Sequence, residues 1–94
     1  MRIIIELSKL CFVDGLIEDI CKKYKNKIKN IYRYKREILF NNGDEIKMIS
    51  ERQQIDGLRA DVAIGPHAEC FTCISKYEKR IWGFSDLENY LENL

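Results

Sequence analysis

A chain of 94 residues that is 46% hydrophobic and 33% charged has enough apolar content for one globular domain and too much for disorder. No apolar run is long enough to span a bilayer, and acidic and polar residues follow soon after Met1. A membrane span and a signal peptide are therefore not expected, and the four cysteines read as reduced cytoplasmic thiols.

The net charge of +1 conceals segregation. The balance is −2 over residues 1–21, +8 over 22–36 without a single acid, and −5 over 37–94, which predicts one positive and one negative face. In chain order, Ile3, Ile4, Ile5 and Leu7 form a β-branched run that predicts a strand buried on both faces, central in a sheet. Val13, Leu16, Ile17, Ile20 and Tyr24 recur at helical spacing. Gly15 costs about 1 kcal/mol relative to Ala inside a helix, which puts the expected helix near 14–24.

Residues 36–49 read as a β-hairpin, because Asn42-Gly43 tolerates the positive φ of tight primed turns. Asp61 to Ile64 is a further short strand, ended by Gly65-Pro66, with Asp61 expected to pair with Arg59 or to cap a turn. Cys70 to Tyr77 fits either a strand or a helical turn, and Arg80 to Trp82 a short strand. Ser85-Asp86-Leu87-Glu88 has the capping-box pattern, predicting a C-terminal helix over 86–94. The expected fold is a single small α/β domain, residues 1–94, with a mixed sheet covered by two helices. Such a sheet leaves an apolar face incompletely covered, which predicts a homo-oligomer.

The run from Glu37 to His67 is Ile38-Leu39-Phe40, Asn42-Gly43, Ile46-Lys47, Gly57-Leu58-Arg59-Ala60-Asp61 and Val62-Ala63-Ile64-Gly65-Pro66-His67. It resembles the approach to the Walker B strand in the P-loop ATPase core of viral large terminases. On that resemblance Pro66 stands where the magnesium-binding Asp would be, and His67 where the water-orienting Glu would be. The sequence also has no Gly-x-x-x-x-Gly-Lys-Ser/Thr loop to cradle phosphates. The resemblance thus implies an α/β fold and a viral or phage origin in a bacterial host, but not the phosphoryl-transfer chemistry, and the chain is expected not to be an enzyme.

Two constellations could bind ligands. Lys25, Lys29, Arg33 and Arg36, interleaved with Tyr32 and Tyr34, combine cations for phosphate with rings that stack on a base. His67, Cys70 and Cys73 are zinc-binding residue types at His-x-x-Cys-x-x-Cys spacing, with Cys11, Cys21 or Glu69 the candidates for a fourth ligand. The expected function is non-catalytic capture of a phosphorylated, nucleotide-derived small molecule, as in viral anti-defence. The alternatives are an inhibitor acting on a host or viral protein, and a zinc-binding or nucleic-acid-binding module. No cofactor other than zinc is implied.

Overall fold

The computed structural model describes residues 1–50, 59–67, 72–73 and 80–94. The expectation for Cys70 to Tyr77 falls largely outside these residues, as does the stretch from Glu51 to Leu58. The Ile-rich run is strand β1 (Arg2–Leu7), followed by helix α1 (Leu10–Lys23), a single 3₁₀ turn (Lys25–Lys27) and strand β2 (Ile28–Tyr32). Strands β3 (Glu37–Phe40), β4 (Glu45–Ser50), β5 (Arg59–Ala60), β6 (Val62–Ile64), β7 (Thr72–Cys73) and β8 (Arg80–Ile81) precede helix α2 (Phe84–Glu92).

Among the described residues, six strands form a mixed sheet in the order β2-β3-β4-β1-β6-β8. The β2, β3 and β4 strands pair antiparallel, whereas β4, β1, β6 and β8 run parallel. Strands β5 and β7 form a separate parallel pair. The small mixed α/β fold read from the sequence is the one observed, and β1 lies centrally, with Ile3, Ile4 and Ile5 fully buried.

Alternation along β1 divides the interior into two layers. Ile3 and Ile5 face Val13, Ile17 and Ile20 of α1 and Leu87 and Leu91 of α2, together with Ile46, Met48 and Ile64. Both helices therefore cover one face, and each of these aliphatic side chains contributes about 1.5–3 kcal/mol by leaving water. Ile4 faces the other way, with Ile49, Ala60 and Ala63. Toward β3 that second face turns charged, where Arg2 lies 3.8 Å from Glu37 and 3.5 Å from Glu45, and Lys47 lies 3.4 Å from Glu37. No helix among the described residues is long and apolar enough to cross a membrane.

Three local expectations need correction. Helix α1 starts at Leu10 rather than near 14, because burying Val13 on the sheet outweighs the propensity cost of Gly15. Helix α2 spans 84–92 rather than 86–94: the Asp86 carboxylate reaches back to accept the Gly83 N–H at 2.9 Å, so Gly83, and not Ser85, is the N-cap. Arg36 does not open a strand but closes the β2–β3 turn with φ of 54°. The expected pairing of Asp61 with the Arg59 side chain lies outside what is described; Asp61 accepts the backbone N–H of Arg2 at 2.8 Å and donates its own to the Arg2 carbonyl at 2.9 Å, which ties the start of β6 to β1.

Candidate functional site

The basic segment runs from the end of α1 through the 3₁₀ turn and the edge strand β2 into the turn at residues 33–36. The fold sorts its cations into two groups. Lys22 and Lys23 sit in the last turn of α1, where the helix dipole favours positive charge. The Lys27 ammonium donates to the carbonyls of Leu91 and Glu92, both at 3.0 Å, and so caps the end of α2. Arg33 forms an ion pair with Glu18, and Arg36 with Asp14 at 3.3 Å, because the turn lies against the acidic flank of α1.

Lys25 and Lys29 have no ion-pair partner among the described residues. They border one depression of about 340 Å³, lined also by Cys21, Ile28, Asn30 and Ile31. A register shift between Ile28 and Asn30 leaves Lys29 as the extra residue of a β-bulge, the device by which an edge strand re-aims a side chain. Burial pushes the Cys21 thiol above its ordinary pKa, so it enters this surface as an uncharged group rather than a reactive thiolate.

The six residues singled out by sequence are therefore not one cluster. Lys25 and Lys29 meet at the depression, Arg33 and Arg36 turn toward α1, and neither tyrosine lines the depression. Tyr32 is exposed on β2, accepting from Asn30 at 3.4 Å, and Tyr34 stands 96% exposed at the turn tip.

A second polar site lies at the carboxyl ends of the parallel strands, where open α/β sheets commonly bind ligands. Glu6, next to last in β1, is 1% exposed, and its carboxylate accepts the His67 backbone N–H and faces His67 Nδ1, both at 2.8 Å. Gly65, with φ of 135°, packs so closely that a Cβ there would lie 2.7 Å from both Glu6 Cβ and the Glu6 carbonyl oxygen. Sequence reasoning passed over Glu6, although a lone carboxylate in a strand read as buried on both faces was the available signal.

Of the proposed zinc set, His67 directs one ring nitrogen at Glu6, as metal-binding histidines commonly do toward an outer carboxylate. Cys70 lies outside the described residues, and Cys73 is described only as backbone of β7, in register with Ala60. No group of three or more His, Cys, Asp or Glu suited to a metal occurs among the described residues.

Comparison with known proteins found no matching family model, curated protein or solved structure.

Proposed function

We propose that this chain is a non-catalytic binding protein that captures a phosphorylated, nucleotide-like small molecule on the Lys25–Lys29 surface. The observation that carries the reading is that two ammonium groups with no ion-pair partner among the described residues border one depression on a sheet edge. Lysine ammonium groups hold phosphate as point charges, and the exposed Tyr32 offers a ring farther along the same strand. Arg33 and Arg36 serve the fold in the free protein, although the Arg33–Glu18 pair is solvent-exposed and worth little, so a ligand can recruit Arg33 at small expense. Catalysis is not part of the proposal, since Pro66 and His67 stand where the resembled ATPases carry their acids.

A panel of nucleoside triphosphates and cyclic dinucleotides, each in large excess, tests it by thermal unfolding. Ligand at 100 times its dissociation constant stabilises by about 2.7 kcal/mol, which for a chain this size raises the melting temperature by about 10 °C or more. An unchanged melting temperature with every member of the panel removes the reading.

A second reading, self-association, is favoured by an apolar groove between the two helices. Leu16, Ile20, Phe84, Leu87 and Leu91 line it, with Asp19, Glu88 and Lys23 at its rim. Phe12 is 54% exposed and Phe84 46%. A second copy related by a two-fold axis would cover these rings and could set the rim's acids against its lysine. Native mass spectrometry should give a dimer that Phe84→Glu converts to monomer, and a monomeric wild-type mass at micromolar concentration contradicts it.

A further inference from the structure

Opposite the Glu6–His67 end of the sheet, two adjoining depressions of about 510 and 190 Å³ share Asn42 and Leu94. Trp82, Tyr90, Asn89 and Asn93 line the first, and Asn26 and Asn41 the second. Five of the chain's six asparagines are thereby gathered beside its one tryptophan. The rings of Trp82 and Tyr90 meet at 5.7 Å between centroids with a 53° tilt, forming an angled aromatic ledge.

The ionic groups here are committed to the fold. Lys27 caps α2, and Asp86 holds the Gly83 amide. Asp44, beneath the ledge, accepts from the Met1 ammonium at 2.7 Å, from the Tyr90 hydroxyl and from Asn42 Nδ2 at 3.0 Å. Burial pushes the Asp44 carboxyl up, and hydrogen bonds from the Met1 ammonium, Tyr90 and Asn42 overcome this and hold it below its ordinary value. The same network fixes Asn42 at both ends of its amide, since Asn42 Oδ1 accepts the Asp44 N–H at 2.9 Å. Ledge and amide are thus set before any ligand arrives, which lowers the entropic cost of binding.

By contrast, the side-chain amides of Asn26 and Asn89 have no hydrogen-bond partner among the described residues. A carboxamide offers two donors and an acceptor in one plane, which suits paired hydroxyl groups, each donor and acceptor at once. An aromatic ring suits the C–H face of a pyranose, and the lack of an uncommitted cation among the described residues lining these depressions disfavours phosphate. We infer that this surface is a second binding site, independent of the Lys25–Lys29 depression, whose ligand is a neutral saccharide resting on Trp82 and held by asparagine amides.

Because Trp82 is the chain's only tryptophan, its fluorescence reports on the site directly. The full chain is titrated with neutral oligosaccharides of glucose, mannose and N-acetylglucosamine, and separately with uncharged nucleosides. A saturable change in Trp82 emission with a saccharide is expected, with a dissociation constant of about 1 mM as suits a shallow site. Asn26→Ala/Asn89→Ala, at two exposed positions whose amides have no partner among the described residues, should weaken it at least tenfold while leaving the melting temperature nearly unchanged, and Lys25→Ala/Lys29→Ala should leave it intact. Absence of a saturable change with every saccharide overturns the inference, as does binding that survives the asparagine substitutions. Saturation by nucleosides alone also overturns it, in favour of base recognition.

Discussion

Gly65→Ala should destabilise the protein by about 4 kcal/mol and lower its melting temperature by about 20 °C, the sum of two separable effects. One is backbone strain, because φ of 135° lies where L residues rarely go. The other is collision, because the new methyl would fall 2.7 Å from Glu6 Cβ and from the backbone oxygen of the same residue, which sits fixed in the central strand. Gly43→Ala separates the two. Gly43 also has positive φ, 92°, but nothing lies within 4 Å of where its Cβ would be, so its substitution should cost only the strain, about 1–2 kcal/mol. Equal losses for the two variants, measured by urea unfolding, would mean that the contact of Gly65 with β1 contributes nothing.

Glu6→Ala should cost a further large amount, about 3 kcal/mol. Removal of the carboxylate takes away the acceptor of the His67 backbone N–H and its contact with Nδ1, and opens a void beside β1. Glu6→Gln keeps the shape and one acceptor oxygen, so it should cost about 1 kcal/mol. His67→Ala should resemble Glu6→Gln rather than Glu6→Ala if solvent reaches the freed carboxylate, since the His67 side chain is itself half-exposed. A Glu6→Ala variant as stable as wild type would show that the pair does not hold the segment after β6 onto β1.

These two positions also show what a single sequence does and does not reveal. The Ile3-Ile4-Ile5 run announces a central strand because only burial on both faces accommodates it. Asn42-Gly43 announces the β3–β4 turn, although the connection is a four-residue loop in which Asn42 bonds to Asp44 rather than a tight two-residue turn. The Glu6–His67 pair was not legible, because its partners stand 61 residues apart and meet only when β6 pairs beside β1. The helix ends were shifted because Asp86 and Glu88 are both able to reach back to a cap, and only the path of the chain after Trp82 selects Asp86.

The candidate site was half legible for a related reason. Composition identified a positive segment, and the bulged edge strand brings two of its lysines together. What composition could not convey is that α1 crosses beside the following turn and presents Asp14 and Glu18 to Arg36 and Arg33. The availability of these cations depends on a helix flank rather than on their own spacing. The asparagine-lined surface escaped entirely, because its residues come from three separate segments that converge only at one end of the sheet.

Calorimetric titration of nucleotides into wild type, Lys25→Ala/Lys29→Ala and Arg33→Ala/Arg36→Ala decides whether Lys25 and Lys29 form the proposed phosphate-binding surface. Saturable binding by wild type is expected, with a loss of at least tenfold in affinity for the lysine pair and a change of no more than a few-fold for the arginine pair. Wild type that binds no nucleotide in the panel, or a lysine-pair variant that binds as tightly as wild type, would contradict it.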